Sequence, residues 1–151
     1  MNSLKIITNL HSFLHNLDRK NKTIVFTNGC FDLLHKGHLY LLKESKKLGD
    51  ILVVAVNDDA SVKRLKGETR PIESLKIRLK KLADLESVDY VISFSEDTPL
   101  QLIEKLQPTI LIKGGDYKKE GIIGNKIAQQ TVIIPLLDGF STTKTIEEGN
   151  K

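Results

Sequence analysis

The chain has 151 residues and a mass of 17.0 kDa, about one ordinary domain with room for a core that needs no disulfide staples. Hydrophobic residues make up 40% and charged residues 28%, the balance of a globular protein rather than a disordered or fibrous one. The net charge of +4 is unevenly spread: residues 36–81 hold 12 Lys and Arg against 6 Asp and Glu, a surplus that suits an anionic ligand as well as it suits a solvated basic face.

Aromatic residues are only 5% and Trp is absent, so no basic stripe interleaves with stacking residues and nucleic acid is not an expected partner. The longest aliphatic run, ILVVAV at 51–56, is too short to span a bilayer, and the N-terminus lacks a signal-peptide cleavage pattern. A cytoplasmic protein without membrane contact is expected. The one cysteine, Cys30, forms no internal disulfide, which suits a reducing compartment.

Along the chain, an amphipathic stretch over roughly 3–18 predicts a helical N-terminal extension of about 20 residues to a single domain covering 1–151. KTIVFTNG is a β-branched strand ending in Gly29, and HLYLLKESKKLG a helix closed by Gly49. DILVVAVN has the continuous apolar character of a parallel strand covered on both faces. SLKIRLKKLADLES follows as a helix with Leu75, Leu79 and Leu82 on one face. VDYVISF is a strand, TPLQLIEKLQ a helix and TILIKGG a strand. A short polar helix near GNKIAQQ, a strand TVIIPLL and a last helix opening at STTKTIEE complete the order. Five strands alternating with helices predict a single Rossmann-like, doubly wound α/β sheet of parallel strands with helices on both faces.

Ligands of such sheets bind beyond the carboxyl ends of the strands. Four post-strand segments should therefore converge on one rim: TNGCFDLLHKGH, VNDDASVKRLKGETRP, KGGDYK and LLDGFSTTK. A purely structural rim needs Gly and Asp for its turns, but gains nothing from His35, His38, Lys66, Arg70, Lys113 and Lys144 beside them. In HKGH a helix starting near Gly37 would aim its unpaired N–H groups and positive dipole end at the rim, and Gly37 would let a phosphate approach the backbone. His35 and His38 would donate to phosphoryl oxygens flanking the same point. No third His, Cys or carboxylate stands at zinc spacing, so no protein metal site is expected. Ser141, Thr142 and Thr143 offer hydroxyls at a second helix start, which taken alone is an ordinary N-cap. Two such starts on one rim fit a polyphosphate.

GCFDLLHKGH (29–38) and GFSTTK (139–144) resemble the signature of the nucleotidylyltransferase superfamily, a GxFDxxHxGH stretch followed late by (I/F)S(S/T)T. The likeness runs from residue 22 on. VNDDASVKRLKGETRPI, VDYVISFSEDTP and LIKGGDY make the chain most similar to the heptose 1-phosphate adenylyltransferases of ADP-heptose synthesis. In that family the transferase is often fused to a sugar kinase, for which this chain has no room, so it resembles the stand-alone form with a separate heptose kinase upstream. The resemblance implies attack by a sugar 1-phosphate oxygen on the α-phosphorus of ATP, with pyrophosphate leaving and Mg²⁺ held mainly by phosphate oxygens and water.

A phosphate monoester is already largely deprotonated at neutral pH, so the reaction needs alignment and charge neutralisation rather than a general base. The resemblance assigns catalysis to His35, His38 and Lys46. It assigns the nucleotide to Asn28, Gly29, Cys30, Phe31, Gly37, Gly115, Asp116, Ser141, Thr142 and Thr143, with Asp116 near the ribose. Lys66, Arg70 and Lys113 would grip the sugar phosphate. Asp32 is read as fixing the turn before the histidines. Cys30 departs from the Thr or Ser of many relatives, removing one hydroxyl, and Leu136 and Leu137 depart from the polar residues of the glycerol-3-phosphate cytidylyltransferase branch. Alternatives are a transferase with another base or acceptor, such as a GTP-dependent heptose enzyme, that cytidylyltransferase or an FAD synthetase, and a nucleotide-binding protein without turnover. A homodimer, with the N-terminal segment as contact, is the family-level expectation.

Overall fold

A computed structural model describes residues 3–115 and 121–135. Five strands form one sheet, all parallel, in the order β3-β2-β1-β4-β5: β1 Ile24–Gly29, β2 Ile51–Asn57, β3 Tyr90–Phe94, β4 Ile110–Gly114 and β5 Gln130–Ile134. The helices among the described residues are α1 Leu10–Asn16, α2 Lys36–Lys46, α3 Asp59–Lys66, α4 Leu75–Ala83 and α5 Leu100–Leu106. None of them is long and apolar enough to cross a membrane.

The unbroken apolar runs of β1 and β2 follow from burial on both faces. Successive side chains point to opposite sides. Val25, Leu52, Val54 and Val56 meet Leu42 of α2 and Leu82 of α4 on one face. Ile24, Phe26, Val53 and Ala55 meet Ile103 and Leu106 of α5 on the other. The α2–β2 connection is tight: a Cβ on Gly49 would lie 2.5 Å from Val25 Cγ2 and 2.9 Å from the Thr23 carbonyl oxygen, so only glycine passes there.

Three sequence expectations change. The N-terminal segment is not one helix. Ile6 bridges Val91 in parallel, with the Ile7 N–H donating to the Val91 carbonyl at 2.8 Å, and the Asn9 side chain caps a short α1 by accepting from the Ser12 N–H. The apolar residues Leu10, Phe13 and Leu14 pack onto the sheet core, with Phe13 edge-on to Tyr90 at 4.8 Å. Residues 59–66, read as loop, form α3, because the Asp58 carboxylate caps it by accepting from the Ser61 N–H at 2.9 Å. Residues 124–130, read as a helix, are turns and bends up to 129, with Gln130 already in β5: Gly124 takes a φ of 87° beside Ile103, and the bonds Asn125 to Ile122 and Ile127 to Gly124 are i to i−3. The helix expected at Ser141 lies outside the described residues.

Candidate active site

The strand order reverses direction between β1 and β4, and the carboxyl ends of these two strands border a cleft of about 330 Å³. Its lining includes Asn28, Gly29 and Cys30 after β1, Asn57 at the end of β2, Lys66 on α3 and Lys113 on β4. Open α/β sheets bind ligands at such a switch point. A larger groove of about 520 Å³ between the N-terminal segment, β3 and α5 holds none of the candidate catalytic or binding residues named from the sequence.

The two histidines form a cap on α2. His35 is the N-cap, and its Nδ1 accepts from the Gly37 N–H at 3.1 Å. His38 Nδ1 accepts in turn from the His35 N–H at 3.3 Å. A ring nitrogen that accepts is unprotonated, so each neutral ring carries its own proton on Nε2. The rings stack with centroids 3.8 Å apart, and Phe31 lies 5.4 Å from His38. Burial, then the neighbouring His35 and Lys66, pushes the His38 pKa down to about 4, and burial lowers that of His35. Both rings are thus neutral donors at pH 7. This corrects one expectation: the Gly37 N–H is taken by His35 rather than left open for a phosphate.

A pH dependence of stability follows. The unfolded imidazole binds its proton near 6.5 and folded His38 only near about 4, so between these values the unfolded chain holds more protons. Stability is expected to fall by roughly 2 kcal/mol from this group as pH drops from 7 to 5, with no contribution from it above pH 7. Urea unfolding at the two pH values checks this, with His38→Asn flattening the difference.

Cationic groups gather around Cys30. Burial pushes its thiol pKa up, while Lys66, Arg78 and Arg70 oppose the rise, which leaves a neutral thiol and no nucleophile. Burial and the like charge of Lys66 lower the pKa of Lys113, although Cys30 acts the other way. Arg70 is anchored: its Nε donates to Asp32 Oδ2 at 2.9 Å, and its side chain is only 11% exposed. Asp32 is buried and also accepts from the Ile72 and Glu73 N–H groups at 2.7 and 2.9 Å. Burial alone would raise its pKa, but these N–H groups and Arg70 hold its carboxyl below the usual range. Asp32 therefore ties the β1–α2 loop to residues 70–73.

A model of the cytidylyltransferase-like family matches residues 26–147, most of the chain. The chain belongs to this family of nucleotidyltransferases. It is 51% identical over 143 residues to a bifunctional protein HldE of Helicobacter hepaticus, covering 95% of this chain and 30% of that protein. It is 53% identical over 131 residues to HldE of a Nitratiruptor species, covering 87% of this chain and 28% of that protein. The chain thus spans less than a third of the length of these curated relatives. A lipopolysaccharide core biosynthesis protein of Thermoplasma volcanium superposes with a TM-score of 0.66 at 36% identity, over 78% of this chain and 99% of that one. Pantoate-beta-alanine ligase of Francisella tularensis, at a TM-score of 0.64 and 20% identity over 96% and 76%, shares the fold.

The structure brings together Asn28, Gly29, Cys30, Phe31, His35, Gly37 and His38 on one loop and helix start, with Lys66 and Lys113 lining the cleft beside residues 28–30. The Phe31 side chain is buried in the core, so it has only backbone to offer a ligand. Gly115, at a φ of 109°, closes β4 with its N–H on the Ile134 carbonyl at 3.0 Å. Lys46 does not join them. It ends α2, an 11-residue helix, so at about 1.5 Å per residue it stands roughly 15 Å from the histidine end. Its Nζ is held there by the Asp89 carboxylate at 2.7 Å and the Asp50 carbonyl at 2.5 Å. Asp116, Ser141, Thr142, Thr143 and Lys144 lie outside the described residues. Arg78, not singled out from the sequence, is the buried side chain that grips the cleft loop. The signal was its position: Leu75, Leu79 and Leu82 mark the apolar stripe of α4, and an Arg within that stripe is buried only with partners.

Proposed function

We propose that the chain transfers AMP from ATP to D-glycero-D-manno-heptose 1-phosphate, giving ADP-heptose and pyrophosphate. The observation that carries this is the pair of stacked, neutral imidazoles at the start of α2, where Lys66 is near enough to act on His38, next to the cleft that Lys66 and Lys113 line. An oxygen of the sugar phosphate attacks the α-phosphorus, the bond from that phosphorus to the bridging oxygen breaks, and its electron pair leaves with pyrophosphate. His35 and His38 stabilise the charge that develops on the α-phosphoryl oxygens, at a site where preformed donors need no reorganisation. Lys66 and Lys113 neutralise phosphate charge, and Arg70, fixed by Asp32, stands on the acceptor side. The likeness to HldE and to a lipopolysaccharide core biosynthesis protein supports the heptose acceptor.

Mg²⁺ would be held mainly by the substrate's phosphates and water, and no step is routed through it. A kinase acting earlier, on this chain's partner or on a fused segment, would supply the sugar 1-phosphate. A homodimer belongs to the same proposal. Isotope transfer tests the chemistry: label in the α-phosphate of ATP is expected in the sugar nucleotide and γ-label in pyrophosphate. γ-Label on the sugar would contradict it.

A further inference from the structure

The backbone of the cleft loop is held in an unusual shape. Phe31 and Leu33, neither of them glycine, take φ values of 51° and 58°. Such residues cost free energy and persist where surrounding contacts over-determine them. Here the contacts come from residues 70–78: Asp32 binds the N–H groups of Ile72 and Glu73, and the Leu33 N–H donates to Glu73 Oε1 at 3.2 Å.

Arg78 completes this hold from beneath. It is 1% exposed, and each nitrogen of its guanidinium has an acceptor. Nε donates to the Glu73 carbonyl at 3.0 Å and Nη2 to Asp59 Oδ1 at 2.7 Å. Nη1 donates to two carbonyls at once, Cys30 at 2.8 Å and Asn57 at 2.7 Å. Cys30 and Asn57 both line the cleft, one after β1 and one at the end of β2. A single nitrogen thus sets the spacing of two cleft walls. Because the C=O and N–H of a trans peptide point opposite ways, gripping the Cys30 carbonyl also fixes where the Phe31 N–H points. Lysine cannot substitute: its ammonium is a point donor, whereas the planar fork spans four acceptors on three segments.

We infer that Arg78 is a positioning residue for the transfer reaction, holding the Cys30–Phe31 peptide and the β2 end in the geometry that the α-phosphate requires. This inference rests on the transferase reading. Arg78→Lys is the test, with pyrophosphate release and ¹⁵N-amide spectra as readouts. Misplacement of a positioned group by about 1 Å costs about 10²-fold, so kcat is expected to fall by that factor with the KM for ATP changed by less than about threefold. Amide shifts are expected to concentrate at residues 29–33 and 57–59. Asp59→Asn, which keeps the three carbonyl grips, is expected to stay within about threefold of wild-type kcat. Arg78→Gln removes the buried charge and repeats the measurement where the lysine variant does not fold. A folded Arg78 variant with kcat within threefold of wild type, or amide shifts spread through α4 and the sheet, would overturn the inference. A wild-type protein silent with every triphosphate would instead sink the transferase reading, and the amide shifts alone would still decide whether Arg78 holds this loop.

Discussion

His38→Ala is expected to lower the kcat of pyrophosphate release by about 10²–10³-fold, the cost of removing one preformed donor to a developing oxyanion. The protein should remain folded. The variant loses the acceptor for the His35 N–H, worth about 1 kcal/mol as a helix cap, and that loss does not account for a drop of this size. Because His38 Nδ1 is occupied by that backbone N–H, the donor is Nε2, and because burial keeps the ring neutral, the pH profile is expected to show only the ionisation of the substrate phosphate, at about 6, with no further inflection from this imidazole. His15→Ala, on α1 and away from the cleft, serves as the control and should stay near wild type. Steady-state kinetics from pH 5.5 to 8.5 check both parts. A His38→Ala enzyme within threefold of wild-type kcat would remove the histidine pair from the mechanism.

The largest loss of stability is expected at Asp32. Its carboxylate is fully enclosed and serves three donors: Arg70 Nε and the N–H groups of Ile72 and Glu73. Asp32→Ala leaves a nearly buried guanidinium without its counter-charge and two backbone donors without acceptors, a cost of roughly 3–5 kcal/mol. Asp32→Asn keeps the shape and an acceptor oxygen, so its loss should be smaller. Since the folded carboxyl pKa lies below the unfolded value of 3.8, the contribution is complete above that pH and disappears as pH falls through the folded value. Urea unfolding at pH 7 measures the difference. A change under about 1 kcal/mol in Asp32→Ala would mean that the 70–73 segment finds other partners.

The contrast between these two residues shows what a sequence discloses. HKGH is a local constellation: the N-cap, its reciprocal partner three residues on and the glycine between them are all set by one helix start, so spacing alone points to them. The buried strands were equally plain, because a run such as ILVVAV has no polar face to offer water. Asp32 was read as a turn residue, yet its partners lie 38 to 41 positions away, and no local pattern names them. Arg78 is further still, 48 residues from the carbonyl it grips, and its only trace is a charge on an apolar stripe. Lys46 went the other way. A family position suggested a phosphate contact, but helix length places it at the far end of α2, where Asp89 holds it. The helix α3 was missed because its eight residues DASVKRLK carry few apolar side chains, and only Val62 and Ser61 are buried. Capping by Asp58 and packing of Val62 decided that segment, and packing is not visible in composition.

Pyrophosphate release with Mg²⁺, using ATP, GTP and CTP in turn against the α and β anomers of D-glycero-D-manno-heptose 1-phosphate and with glycerol 3-phosphate as the competing acceptor, decides the proposed transfer. CTP is the base to set against ATP, since the family is described by its cytidylyltransferases. Release with ATP and a heptose 1-phosphate, and none without an acceptor, is the predicted result. Release only with CTP and glycerol 3-phosphate, or none with any pair, would contradict it.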